Sequence, residues 1–130
     1  MEMLHDTDPA KEILEKLASA QDAFQVTGVD LLLAIYQRPK TTKGGIHLTD
    51  TAIGEDLYQG KVGLILKVGP LVNERNKDLS LWFGGRLPQI GDWAVVRVGD
   101  TYAFNLNGVP CRLVEAKQIR GVIAQPDKVW

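Results

Sequence analysis

Asn107 and Gly108 stand between two short runs, residues 101–106 and 109–114. An Asn-Gly pair between strand-like runs is a strong hairpin signal. Both residues accept the positive φ angles that a tight two-residue turn demands. The chain is therefore committed to an antiparallel hairpin near its C-terminal end. The same texture recurs upstream. Residues 29–35 form a dense apolar run, the pattern of a strand buried on both faces. Residues 61–68 alternate, which predicts Val62, Leu64, Leu66 and Val68 on one face. Gly69-Pro70 ends that run, Gly99-Asp100 reads as a further tight turn, and residues 92–98 and 118–124 complete the strand set. Short, closely spaced strands with glycine-rich turns predict an all-β chain, a small barrel or sandwich.

The N-terminal part reads differently. Residues 8–25 predict a helix: Asp8 can accept from a free first-turn amide, and Pro9 then occupies a position where its missing N–H costs nothing. Ala10, Ile13, Leu14, Leu17 and Phe24 mark one apolar face, with Glu12 and Lys16 one turn apart elsewhere. Gly28 is the expected stop. Two readings stand for the apolar face: it packs on its own chain, or it docks on a neighbouring subunit or larger assembly through Ile13, Leu14, Leu17 and Phe24. The expected division is a helical extension over residues 1–28 and a β domain over 29–130, with 25–28 as the linker. Residues 39–45 read as a polar, basic loop, and residues 71–90 as an irregular segment carrying Trp82 and Phe83.

Composition narrows the function classes. In 130 residues, 45% are hydrophobic and 24% charged, as in a globular chain rather than a disordered one. A net charge of −1 supplies no general attraction to nucleic acid or to an anionic membrane. A single cysteine, Cys111, leaves no internal disulfide framework and fits a reducing cytoplasm. No apolar run is long enough to span a bilayer, and Glu2, Asp6 and Asp8 do not fit a secretory leader.

Catalytic signals are thin. His5 and His47 are far apart and match no metal-ligand spacing. Nucleophile elbows, phosphate-binding loops and dinucleotide fingerprints are absent from the sequence. Asp50, Glu55 and Asp56 read as a solvated loop, and Cys111 as a small core residue. Arg38, Lys40 and Lys43 cluster beside Tyr36, but the aromatics do not interleave with the charges as a single-strand platform requires. The expectation is a protein that is not an enzyme and needs no cofactor, metal, nucleic acid or membrane.

The order of short motifs carries a resemblance. Lys43-Gly44-Gly45-Ile46-His47-Leu48 follows the first strand, then Thr49-Asp50-Thr51-Ala52, Gln59-Gly60-Lys61-Val62 and Val68-Gly69-Pro70. Ile90-Gly91-Asp92-Trp93-Ala94-Val95-Val96 follows, then the Asn107-Gly108 hairpin, Leu113-Val114-Glu115 and Ile119-Arg120-Gly121-Val122-Ile123-Ala124. From about Val29 to Ala124 the chain resembles the GroES co-chaperonin family, which includes divergent phage-encoded members. The resemblance implies a small irregular β-barrel that assembles into a ring, with the first and last strands of neighbouring subunits paired. It also implies a mobile loop that docks on a chaperonin ring, here Gly44, Gly45, Ile46, His47 and Leu48. Residues 71–87 would form the roof, where Trp82 and Phe83 make a candidate contact patch.

Two apolar residues in a polar loop, Ile46 and Leu48, suit reversible docking in a partner groove. His47 departs from the family, which has an apolar residue there, and an imidazole weakens docking in an apolar groove. The helical extension and Trp130 also depart from a minimal co-chaperonin. They motivate a second reading, a GroES-fold structural protein anchored by its helix on a capsid shell, such as a phage decoration or virion component. The first reading places the protein in the cytoplasm, the second in the virion.

Overall fold

The computed structural model describes residues 3, 5, 7–38, 44, 45, 47, 49, 60–72 and 89–128. They form a mostly β structure with a short N-terminal helix. The helix α1 spans Pro9–Leu17. Its start follows the sequence signals: Asp8 Oδ1 accepts the Ala10 N–H at 3.2 Å, and Pro9 opens the first turn. Lys16 and Glu12 pair at 3.1 Å on the solvent side.

The helix is shorter than the expected 8–25. Ala18 takes φ 49 and ψ −128, a conformation that ends the α-helix, and the chain continues as a 3₁₀ helix over Ala18–Ala23. The physical reason lies in the side chains after Leu17. Ser19, Ala20, Gln21 and Asp22 offer no large apolar group to hold another helical turn against the core. The next such group, Phe24, stacks on Phe104 with ring centroids 5.2 Å apart.

Six antiparallel strands form one sheet in the order β4-β5-β1-β2-β3-β6. Their spans are β1 Asp30–Ile35, β2 Val62–Val68, β3 Trp93–Val95, β4 Tyr102–Leu106, β5 Val109–Glu115 and β6 Gly121–Ile123. Among the described residues the sheet does not close into a barrel: β4 pairs only with β5, and β6 only with β3. The strand β1 lies between β5 and β2, and Leu31 to Ile35 are all buried, as the dense apolar run predicts.

A β-bulge corrects the face assignment of β2. Leu32 pairs with Lys67 and Leu33 with Ile65, so Leu66 is an extra residue. Beyond it the alternation is reset. Val62, Leu64 and Leu66 share one buried cluster, while Val68 packs against the cluster on the opposite face. Lys67 stays on the helix side, where its Nζ donates to the Phe24 carbonyl at 2.7 Å. Residues 92–98 also yield less strand than expected. The strand β3 stops at Val95, and Val98–Asp100 forms a 3₁₀ turn in which the Thr101 N–H and hydroxyl both donate to the Val98 carbonyl.

The sheet therefore has two apolar faces. Leu32, Ala34, Leu64 and Cys111 lie on the first, under Leu17 of α1. Leu31, Leu33, Ile65 and Val114 lie on the second, with Val72, Ala116 and Ile119 from the segments that follow β2 and β5. The Asn107-Gly108 turn has φ 51 and 78 at its two residues, as the hairpin signal requires. Its Asn107 side chain does a second job: Nδ2 donates to the carbonyls of Lys16 at 3.0 Å and Leu17 at 3.4 Å. These are carbonyls that a helix end leaves without intrahelical partners.

Candidate functional site

The connection between β1 and β2 carries the sequence-predicted docking loop. Of its residues, Gly44, Gly45 and His47 are described, and all three are exposed. Thr49 beside them is exposed too. Gly45 has φ +85, a backbone conformation that a side chain would strain. Ile46 and Leu48 lie outside the described residues, as do Trp82 and Phe83 of the expected roof.

The predicted docking helix divides its apolar residues. Leu17 is fully buried on the first face of the sheet, and Ile13 and Phe24 pack against the same cluster. Burying a leucine side chain stabilises the fold by about 1.5–3 kcal/mol. Leu14 is 44% exposed and points away from that cluster. Of the two readings of this helix, packing on its own chain accounts for Ile13, Leu17 and Phe24.

The N-terminal segment forms a second feature, which sequence reasoning missed. The Met3 N–H donates to the buried Asp127 Oδ2 at 2.8 Å, which ties the start of the chain to the 3₁₀ turn Pro126–Lys128. His5 Nε2 and the Tyr36 hydroxyl are 2.7 Å apart, and Tyr36 meets Trp93 edge-on at 5.7 Å. A cleft of about 230 Å³ opens here, lined by His5, Asp8, Trp93 and Gln125 among others. No local pattern could have announced it, because its walls come from the N-terminal segment, β3 and the C-terminal segment. Tyr36 is 1% exposed, which removes it as a stacking platform for nucleic acid beside Arg38.

Among the described residues, Cys111, Asp30 and Arg112 are titratable groups that burial perturbs. Cys111 is buried, and burial pushes its thiol up to about 11, partly opposed by the Leu106 backbone. It is a protonated core residue and a poor nucleophile. Asp30 lies directly across from Glu115 in the β1–β5 ladder. Burial, then the charge of Glu115, raises its carboxyl above the ordinary 3.8. Arg112 is 3% exposed and donates to Thr101 Oγ1 at 3.0 Å, and burial lowers its pKa. Asp50, Glu55 and Asp56 are outside the described residues. No group of three His, Cys, Asp or Glu that could hold a metal ion occurs among the described residues. Nor is any helix among them long and apolar enough to cross a membrane.

What fold and site define together is a mostly β chain whose candidate contact points, among the described residues, are the exposed Gly44, Gly45, His47 and Thr49 between β1 and β2, one exposed helix leucine and a small terminal cleft. No protein-family model and no curated protein matches the chain.

Proposed function

We propose that this chain is a co-chaperonin-like lid with a GroES-like architecture, and that residues 44–48 dock on a chaperonin ring. The observation that carries the reading is the setting of the loop. Gly44, Gly45 and His47 are exposed between β1 and β2, two strands buried on both faces, in the motif order that resembles the family. A rigid pair of central strands with a polar, glycine-containing connection is a suitable support for a docking segment. In that segment Ile46 and Leu48 are the anchors, and His47 faces solvent between them. The lid acts as a homo-oligomeric ring and needs no cofactor. The capsid-anchored alternative requires the helix to supply an apolar surface to a shell. Here Ile13, Leu17 and Phe24 are occupied by the chain's own sheet, and Leu14 alone of the four is exposed. This favours the lid.

The test is binding to a purified chaperonin ring in the presence of nucleotide, followed by co-elution. The wild-type chain co-elutes, and the double variant Ile46→Ala, Leu48→Ala does not. Failure of the wild type to bind overturns the reading.

A further inference from the structure

Among the described residues the sheet has two open edges, and they differ in how they are protected. The edge strand β6 has three residues and is preceded by the exposed Arg120, whose side chain is 61% exposed. Short length and adjacent charge are the usual ways in which an edge avoids pairing with another chain. The edge strand β4 is longer, at five residues, and carries no charge of its own; the nearest in sequence, Asp100, is 3.7 Å from Arg120. The strand reads Tyr-Ala-Phe-Asn-Leu, without proline or bulge, and pairs residue for residue with β5. Tyr102 is 70% exposed at its start.

The hairpin tells which backbone groups face outward. Leu106 and Val109 flank a two-residue turn and so form a hydrogen-bonded pair. Alternation along the ladder then directs the backbone groups of Phe104 and Tyr102 into β5, and those of Ala103 and Asn105 to the open edge. Both Ala103 and Asn105 are exposed.

We propose that β4 pairs antiparallel with β4 of a second copy of this chain, about a two-fold axis through Phe104. Strand chemistry selects that register. Centring on Phe104 sets Ala103 opposite the partner's Asn105, and Asn105 opposite the partner's Ala103. All the outward N–H and C=O groups of these residues are then satisfied. Centring on Ala103 or Asn105 satisfies only half of them. The same register lays Phe104 against its own copy and Tyr102 beside the partner's Leu106, on the face where Phe104 already stacks on Phe24 at 5.2 Å. No like charges meet. A contact that is its own complement is what a two-fold interface requires, and each such contact joins two β4 strands, whatever other contacts the assembly holds. The pairing is separate from the docking loop and goes beyond the lid reading.

The test is sedimentation of the intact chain and its variants. Ala103→Pro removes an outward donor and leaves the β4–β5 ladder intact. It lowers the mass of the wild-type assembly about twofold. Ala103→Lys with Asn105→Lys sets like charges directly opposite, twice, and gives the same result should the proline variant fail to fold. In an oxidising buffer Ala103→Cys with Asn105→Cys gives a covalent dimer, since directly opposed residues lie within disulfide reach. A wild-type chain that sediments as a single copy overturns the proposal, even if it captures an extended peptide at this edge. So does an assembly whose mass neither the proline nor the lysine variant changes.

Discussion

The two faces of the sheet are buried by different means. The first is covered from a distance in sequence: Leu17 and Phe24 come from the N-terminal segment, and the Asn107 side chain holds the end of α1. The second is covered locally, by Val72 soon after β2 and by Ala116 and Ile119 after β5. A strand set that is apolar on both sides cannot remain in water on either, so an extension that looks dispensable in sequence becomes part of the core.

Leu17 is the sharpest way to break the first face. Leu17→Ala is expected to lose about 2–5 kcal/mol in chemical denaturation, because it leaves a cavity under the helix. Leu14→Ala, on the exposed side, stays within about 0.5 kcal/mol. Equal losses at both positions would remove the helix from the core. Gly69 tests the other end of the comparison, where the chain leaves β2 toward Val72. A Cβ there would meet the Gly28 carbonyl oxygen at 2.5 Å and that of Asp30 at 2.8 Å, both backbone atoms. Gly69→Ala should therefore cost about 1–3 kcal/mol by the same measurement.

Smaller effects refine the picture. Ala18 holds a positive φ just past the helix. Ala18→Gly relieves that strain and should stabilise by about 1 kcal/mol, read as a higher denaturation midpoint. The smallest effect concerns Asp30, opposite Glu115 in the ladder that both faces share. Its folded carboxyl is raised above 3.8, so folding favours the protonated form. That contribution is fully present at low pH and is lost as pH rises through the raised value. Asp30→Asn should stabilise by a few tenths of a kcal/mol at neutral pH, with the gain vanishing below the ordinary carboxylate range. Lys117, 3.5 Å from Glu115, keeps the effect small.

Much of this architecture was legible from local patterns. The turn at Asn107, the buried run of β1, the Asp8 cap and the core position of Cys111 all depend on neighbours in sequence, and the structure agrees with them. The failures depend on distant partners. The bulge at Leu66 is set by pairing with Leu32 and Leu33, so an alternation count assigned Val68 to the wrong face. The break at Ala18 follows from what α1 must cover, not from helix propensity. The cleft around His5 joins both ends of the chain. For the loop proposed to dock, the residues come from the sequence and the structure adds the exposure of Gly44, Gly45 and His47.

The central claim is that residues 44–48 dock on a chaperonin. Electron microscopy of the chain mixed with a chaperonin ring and nucleotide tests it most directly. An added cap at the end of the ring is expected, and it disappears with Ile46→Ala and Leu48→Ala. Bare rings with the wild-type chain would contradict it.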